Sequence, residues 1–493
     1  MEQKQPKIHS VQFNFVMNVI LKLSAVIFPL ITFPYVSRVL GPEGNGKITF
    51  ATSVISYFAM FAQLGIPTYG IKICAECRDD RAKLSQTVQE LLAINLVSTA
   101  ASYLLLAVCM QLVPRFREEP VLMWMQALSI LLNTIGMDWL YQAVEQYSYI
   151  TIRNILFKLL ALAGMFLLVK EPSDYLIYGG ITLIGSYGSN LWNLFYSRRL
   201  VDLKFQQRQY QWKRHLKPIL SFFALSAAAT IYVYMDSIML GFLHGDTELG
   251  YYNAATKVKT ILVSLVTALG TVLLPRISNY LAHGKREKFE ALVRQSLGII
   301  LLATIPLVTY FIAAAEPVIL FLAGEQYRDS ILPMQIIMVT VLLIGVSNLT
   351  GMQILVPLNL EKYTVISTCF GAVVNLIINA LLIPSFRSAG AAVGTVAAEG
   401  VVLLVQVLYL RGKFSLWNRE LQLWKLLTAN AAALGGYGIL QLAHWESHFL
   451  FLAVSALAFF GIYLAVLLLL REQVIWRQFG EILGKKPKSR SSP

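Results

Sequence analysis

Long apolar runs dominate this sequence, and each is about as long as a helix that crosses a lipid bilayer. The hydrocarbon core of a bilayer is about 30 Å thick, which about 20 residues of α-helix span. The chain has 493 residues, of which 56% are hydrophobic and only 14% charged, with a mean hydropathy of +0.61. Soluble domains do not have this composition, so we interpret the chain as an integral membrane protein.

Fourteen such runs can be distinguished, and they predict an all-α fold with fourteen transmembrane helices. Apolar residues do not alternate with polar ones at every second position, as they would in the strands of a membrane β-barrel. The first run is too long for a cleaved signal peptide. The runs cover residues 11–33, 48–69, 85–112, 121–142, 150–169, 175–195, 218–241, 249–273, 291–313, 331–356, 363–383, 389–410, 424–443 and 449–470.

The distribution of positive charge predicts the orientation of these helices. If the N-terminus is cytoplasmic, the segments on the cytoplasmic side hold 30 of the 41 Lys and Arg residues, whereas those on the outer side hold 7. Such an excess marks the cytoplasmic side of membrane proteins. We therefore expect both termini to be cytoplasmic. The formal net charge of +14 then reflects topology and attraction to anionic lipids, and we expect no nucleic acid partner.

One sequence pattern at a helix corner occurs twice. The stretch "FPYVSRVLGPEGNG" (33–46) lies between the first two runs, and "VYMDSIMLGFLHGDTELG" (233–250) lies between the seventh and eighth. A Leu-Gly pair (residues 40–41 and 240–241) closes one run in each, and Gly46 or Gly250 opens the next. A six-helix period predicts two homologous lobes of the same orientation, a repeat typical of transporters. We expect an N-lobe at 1–217, a C-lobe at 218–412, and helices 13 and 14 with a basic tail at 413–493.

Polar residues form stripes along helices 1, 2 and 8, and they are the candidate substrate-binding residues. Helix 8 has a polar residue at every third or fourth position, from Asn253 through Lys257 and Thr260 to Thr271. A stripe with this spacing lies on one helix face, which would not face lipid. Including a basic residue of the first corner, the candidates are Asn18, Lys22, Arg38, Thr49, Ser53, Ser56, Asn253, Lys257 and Thr260.

Lysines deep in the apolar runs are the strongest candidates, because inserting one at the bilayer centre costs about 2.5–3.5 kcal/mol. Lys22 and Lys257 lie deepest. Lys158 is nearer the cytoplasmic end of its run, and we expect its side chain to extend towards that interface. Acidic residues are rarer, and Asp138, Asp236 and Glu399 are candidates for coupling transport to an ion or a proton. The structural alternative for Asp138 is ordinary solvation at a helix end, and that for Glu399 is an internal salt bridge. Asp236 lies at the outer end of helix 7, which it is expected to cap.

Nothing in the sequence indicates a metal site or another cofactor. Cys74 and Cys77 form a single CxxC without a second pair, and His444 and His448 lack further ligands nearby. We therefore expect these four residues to be structural.

Five segments resemble the polysaccharide-transporter branch of the multidrug/oligosaccharidyl-lipid/polysaccharide exporter superfamily, which contains the flippases of O-antigen and capsule repeat units. The resemblance runs in order from about Phe13 to Leu410. The segments that carry it are "FPYVSRVLGPEGNGKITFA", "DWLYQAVEQYSYITIRNILFKL", "MDSIMLGFLHGDTELGYYNAATKV", "VILFLAGEQYRDSILPMQI" and "GAAVGTVAAEG".

This resemblance implies two six-helix lobes in a V around a cationic cavity. It also implies alternating access that exports undecaprenyl-diphosphate-linked oligosaccharide across the bacterial inner membrane, beside a polysaccharide polymerase. Related flippases have positive residues on helices 1, 2 and 8. Here helices 1 and 8 have a lysine, whereas helix 2 has Ser53. The family has no invariant catalytic motif, so no site residue is carried over from it. The resemblance to flippases implies a transporter and not an enzyme.

Two alternatives stay open at this point. A multidrug antiporter of the same superfamily usually carries cations, which favours an acidic cavity. A membrane polysaccharide polymerase or lipid-dependent glycosyltransferase needs a sizeable outer loop with catalytic acids. The longest outer segment here, 314–331, has about eighteen residues and itself resembles the flippase family.

Overall fold

The computed structural model describes residues 10–203, 210–411 and 422–472, and all regular secondary structure in these ranges is helical. The basic tail and the N-terminal lysines lie outside the described ranges. The chain divides into two compact units, Met1–Asn253 and Ala254–Pro493. The predicted division into lobes after residue 217 stays a prediction.

The first unit consists of nine helices and the start of a tenth, with short 3₁₀ turns at Pro114–Arg117 and Pro172–Asp174 and a π-helical turn at Ile184–Gly188. The helices are α1 (Val11–Gln63), α2 (Ile66–Glu76), α3 (Arg81–Leu112), α4 (Pro120–Gly136), α5 (Asp138–Ala143), α6 (Tyr147–Leu168), α7 (Tyr175–Leu183), α8 (Ser189–Ser197), α9 (Lys213–Leu243) and α10 (Gly245–Ala282).

The second unit contains the remainder of α10 and seven further helices, with a 3₁₀ segment at Glu325–Ser330 and a π-helical turn at Leu349–Leu355. The helices are α11 (Arg286–Ala313), α12 (Ala315–Leu322), α13 (Ile331–Ile337), α14 (Val339–Asn348), α15 (Glu361–Leu410), α16 (Leu423–Gln441) and α17 (His448–Leu469).

Every predicted apolar run is largely helical, but the runs do not correspond one to one with helices. Helix α1 contains the first run and most of the second, and its backbone is non-helical at Gly41 (φ 67°, ψ −177°). Helix α15 contains the eleventh and twelfth runs, with a similar break at Arg387 (φ 50°, ψ −128°). By length and apolar composition, eight helical segments of the described ranges are able to span a membrane, or nine if the bent pair Glu325–Ile337 and Val339–Leu355 is one span.

The helix surfaces are those of a multi-pass membrane protein. Large apolar side chains are widely exposed on them, for example Leu104 on α3, Leu167 on α6 and Leu442 at the end of α16, which are 70%, 73% and 85% exposed. Water would not stabilise so much exposed apolar surface, whereas lipid tails cover it without cost.

Capping side chains mark where helical segments begin outside the apolar runs. The carboxylate of Asp80 caps α3 by accepting hydrogen bonds from the backbone N–H groups of Lys83 (3.1 Å) and Ala82 (3.0 Å). These donors stabilise the ionised form and hold the pKa of Asp80 below its usual value. Between α6 and α7, Glu171 and Asp174 form a reciprocal capping box.

A buried polar cluster joins α2, α3 and α9 in the first unit. Glu90 is fully buried and accepts from Arg214 Nη2 (2.8 Å), while its Oε2 lies 2.7 Å from His215 Nε2. The other ring nitrogen of His215 lies 2.9 Å from the hydroxyl of Tyr69. The arginine supplies the positive charge that the buried carboxylate needs, so a neutral His215 completes the network by donating from Nε2 and accepting at Nδ1.

Candidate substrate-binding site

The two repeated corners cross each other within the first unit, at a distance that only glycine permits. A Cβ atom on Gly46 would lie 1.8 Å from the carbonyl oxygen of Asp246, and one on Gly250 would lie 2.0 Å from that of Pro42. No side chain fits at such distances, so both glycines allow the backbone of α1 to touch the start of α10.

These contacts are related by a single sequence offset. Adding 204 to residues 42 and 46 gives residues 246 and 250. Gly46 touches Asp246, and its counterpart Gly250 touches Pro42, which is the counterpart of Asp246. Thr49 and Asn253 have the same offset, and the Asn253 side-chain amide donates to the Thr49 hydroxyl (3.0 Å). Reciprocal contacts of this kind indicate an approximate two-fold relation between the corners. They add a structural observation to the repeat predicted from sequence.

The same offset corrects the matching of the two Leu-Gly pairs, which places Gly241 opposite Gly41. The left-handed glycine that corresponds to Gly41 is Gly245 (φ 80°), not Gly241. Gly241 lies inside α9, where a Cβ atom would be 2.3 Å from the ring of Phe50. The two glycines therefore have different roles, since Gly245 permits a left-handed turn and Gly241 permits close packing.

Arg115 binds the second corner and packs against α1. Its guanidinium donates to Asp246 Oδ1 (2.5 Å), to the carbonyl oxygen of Gly241 (3.2 Å) and to Glu118, and it lies over the ring of Phe50 (4.8 Å). Asp246 is mostly buried. An arginine that satisfies several groups at once holds them in a defined geometry.

The predicted binding residues of α1 differ in their surroundings. Lys22 and Arg38 are exposed, although Arg38 also donates to the carbonyl oxygen of Pro34 (2.7 Å). Asn18, Thr49 and Ser56 are half-buried, and Ser53 is buried at 2% exposure. Lys22, Asn18 and Ser56 are accessible to a ligand as they stand, whereas Ser53 needs its neighbours to move.

Helix α10 presents its predicted polar stripe at the helix surface. Lys257 is half-buried and Thr260 is exposed. The hydroxyls of Thr260, Ser264 and Thr267 donate to carbonyl oxygens one turn earlier in their own helix (2.7–2.8 Å), which leaves their oxygen lone pairs available. Within the described ranges, neither Lys22 nor Lys257 forms an ion pair with a carboxylate.

The acidic candidates are buried or paired within their own units. Asp138 accepts from Arg153 Nη2 (2.9 Å) and from the amide of Asn193 (2.7 Å). Asp236 is 6% exposed and accepts from the hydroxyl of Tyr252 (2.6 Å), and Glu399 is 8% exposed. Asp138 therefore lies in a salt bridge with Arg153, a contact that the sequence did not predict. In the described residues, His, Cys, Asp and Glu form no group of three that is able to hold a metal.

Sequence reasoning missed two interactions in this part of the molecule. The sequence presents Arg115 only as a charge of an outer segment, and it predicts that Lys158 extends towards the cytoplasmic interface. The structure places the Lys158 ammonium 2.9 Å from the Ser24 hydroxyl of α1. Neither contact has a local sequence signal, because each joins residues more than a hundred positions apart.

Comparisons with known proteins agree with this architecture. A family model described as "Polysaccharide biosynthesis protein" matches residues 12–281, and the MatE model matches residues 223–381. A protein of Escherichia coli (strain K12) named "Putative O-antigen transporter" is 25% identical over 403 residues, which cover 82% of this chain and 97% of that protein.

Two solved structures share the fold. The lipid II flippase MurJ in an inward closed conformation has a TM-score of 0.76 at 14% identity, covering 96% of this chain and 99% of that one. An inward-facing multidrug resistance MATE family transporter has a TM-score of 0.60 at 15% identity, covering 81% and 97%. The chain therefore has the fold that these transporters share.

Proposed function

The chain belongs to the polysaccharide biosynthesis protein family, and from this premise we propose that it exports oligosaccharide repeat units linked to undecaprenyl diphosphate for surface polysaccharide synthesis. It is a flippase of the multidrug/oligosaccharidyl-lipid/polysaccharide superfamily and not an enzyme. We further propose that the lipid carrier is undecaprenyl diphosphate, that the protein lies in the bacterial inner membrane and that it works by alternating access. A polysaccharide polymerase that receives the exported unit is the expected partner.

The observation that supports this substrate best is a pair of lysines, Lys22 and Lys257, in apolar helices. Neither has a carboxylate partner in the described ranges, although an ion in a bilayer normally has one. An anionic ligand would supply the missing charge. A diphosphate is such a ligand, and the amide and hydroxyl groups near the lysines, such as Asn18 and Thr260, are suited to hydrogen bonds with sugars.

We propose fourteen transmembrane helices with both termini in the cytoplasm. Helix α1 with α2 extends over Gln12–Glu76, 65 residues or about 98 Å at 1.5 Å per residue, which is about three bilayer cores. A single crossing of that length is impossible, so the break at Gly41 supports two spans. The break at Arg387 supports the same interpretation of α15. The polar stripe of α10 lowers the apolar content of that helix, and the π-helical turns at Ile184–Gly188 and Leu349–Leu355 divide two further runs into helices too short to cross alone.

Flipping by the purified full-length protein in lipid vesicles tests the proposal. The probe is a short-chain lipid diphosphate that carries a fluorescent oligosaccharide, and an impermeant quencher reports the fraction in each leaflet. We expect the wild-type protein to equilibrate the probe between leaflets and the Lys257→Ala variant to be slower. Protein-free vesicles are the control. Transport of cationic dyes with no movement of the lipid probe would instead support the multidrug antiporter.

A further inference from the structure

Helices α1 and α6 pack in parallel with a constant register, which places Lys158 at a defined level. The Thr151 hydroxyl donates to the carbonyl oxygen of Met17 (3.0 Å), and the Tyr35 hydroxyl donates to that of Val169 (2.8 Å). Both pairs are 134 residues apart, and so is the pair of Lys158 and Ser24. Lys158 therefore reaches sideways to α1 and does not extend along α6 towards its cytoplasmic end.

This level lies deep in the helix pair. Lys158 is eleven residues after Tyr147, the first residue of α6, or about 16 Å along the helix. That distance is about half the thickness of the hydrocarbon core. A charged ammonium group at this depth needs a strong partner.

The partners that the first unit provides are weak for a cation. The Ser24 hydroxyl is neutral and donates its own hydrogen to the carbonyl oxygen of Leu21 (2.7 Å), so only its oxygen is available to Lys158. The ring of Phe28 lies 5.7 Å from the ammonium. In the part of the chain that the structure describes, no carboxylate pairs with Lys158, and its side chain is only half-buried.

Lys158 is also separate from Lys22. Lys22 lies two residues before Ser24, which is about 3 Å along α1 but about 200° around it. The two ammonium groups therefore flank α1 at nearly the same level and on different sides. A second oxyanion, or a second oxygen of one extended headgroup, is the ligand that suits such an arrangement.

We propose that Lys158, positioned by Ser24, is a second anion-binding group of the first unit and binds an oxyanion of the transported lipid-linked saccharide. The inference rests on the proposed function. The oxyanion belongs either to the diphosphate or to a carboxylate of an acidic sugar. Both present the same chemistry to an ammonium group, and two probes that differ in their saccharide distinguish them.

Binding of two probes to the purified full-length protein tests the inference. Both are short-chain lipid diphosphates, one with a neutral disaccharide and one with a disaccharide that ends in a uronic acid. We expect Lys158→Met, which keeps the length and apolar stem of the side chain, to weaken binding about tenfold to a hundredfold. A loss with both probes assigns Lys158 to the diphosphate, and a loss with the uronic acid probe alone assigns it to the sugar.

The control is Lys170→Met, because Lys170 lies just beyond the outer end of α6 and bonds to the carbonyl oxygen of Phe166. It should bind both probes like the wild type, and Lys158→Arg should retain most of the affinity. If the wild-type protein binds and Lys158→Met binds equally well, this inference is wrong. If the wild-type protein binds neither probe, the proposed function is wrong.

A measurement on the unmodified sequence covers the case in which Lys158→Met does not fold. Wild-type protein is treated with an amine-reactive reagent with and without probe, and modified lysines are quantified by mass spectrometry. We expect the probe to protect Lys158 severalfold and to leave Lys170 unprotected. Equal modification of Lys158 with and without bound probe would overturn the inference.

Discussion

A lysine in an apolar helix is costly unless its environment or its ligand compensates the charge. Lys257 of α10 and its neighbour Lys259 are two residues apart, or about 200° around the helix, so they face different surroundings. Only Lys257 lies on the polar stripe with Asn253 and Thr260. The stripe therefore makes Lys257 the principal candidate for contact with a diphosphate.

We predict that Lys257→Ala and Lys22→Ala cripple the synthesis of surface polysaccharide while protein levels stay normal. A hydrogen bond to a charged group contributes about 1.5–3 kcal/mol, so loss of one weakens headgroup binding about tenfold to 150-fold. Lys257→Arg should retain part of the function, because charge matters more than shape for this contact. Complementation of a deletion strain, with immunoblots for expression, measures the effect.

Lys259→Ala is the matched comparison for Lys257→Ala. We expect its effect to be mild, or to arise from lower protein stability. Normal polymer in Lys257→Ala cells together with lost polymer in Lys259→Ala cells would show that the stripe does not contact the substrate.

At the scale of secondary-structure elements, the crossing of the two corners depends on the absence of side chains at Gly46 and Gly250. The contact combines this close backbone approach with the hydrogen bond from Asn253 to Thr49 and the ion pair between Arg115 and Asp246. A transporter that alternates between two states must rearrange some of its helix contacts. The interactions at this crossing lie close together. They therefore either all persist in both transport states or all break together.

We predict that Gly46→Ala and Gly250→Ala each lower the free energy of unfolding by about 1–3 kcal/mol, the usual cost of overpacking. The new methyl group would clash with its neighbour, because that neighbour is backbone and not a mobile side chain. Thermal unfolding of the purified protein in detergent measures the change. Gly435→Ala in α16 is the control, since no atom lies within 4 Å of the position that its Cβ would occupy.

The control should be as stable as the wild type or slightly more stable, because Ala favours a helix by up to about 1 kcal/mol over Gly. Wild-type stability in Gly46→Ala and Gly250→Ala would show that the two backbones are not in contact in the protein.

At the scale of the whole molecule, the charge distribution predicts which segments face the cytoplasm. Arg117, in the segment after α3, and Lys288, near the start of α11, are both exposed and belong to segments predicted on opposite sides. In a background without the four native cysteines, we expect an impermeant thiol reagent to label Arg117→Cys in intact cells but Lys288→Cys only after permeabilisation. The reverse pattern would refute the proposed topology.

The membrane potential should influence transport because the proposed substrate is anionic. Moving one charge across the membrane changes the free energy by about 2.3 kcal/mol per 100 mV, so a headgroup with a net charge near −2 gains about 4–5 kcal/mol per 100 mV on export from a negative interior. The lysines reduce this gain by the charge that they neutralise. We predict that an imposed potential, negative inside, biases the probe outward without an ion gradient. A leaflet distribution that ignores the potential in reconstituted vesicles would contradict this.

Much of the fold follows from local physics that one sequence displays. Apolar runs of bilayer length must become helices, because a backbone in lipid has to satisfy its own hydrogen bonds. The positions of the runs, the deep lysines and the repeated corner are all visible as periodic or regional patterns. The resemblance of five segments to a flippase family was also visible, and the family match agrees with it.

The tertiary structure decided which residues far apart in the sequence contact one another. It showed that Gly245 and not Gly241 is the counterpart of Gly41, that Asp138 is in a salt bridge with Arg153, and that Lys158 bonds to Ser24. Each depends on how one helix is rotated and shifted against another. Hydrophobic burial sets that register only weakly in a membrane, where lipid is as apolar as the neighbouring helix, so close packing and polar contacts between helices decide it.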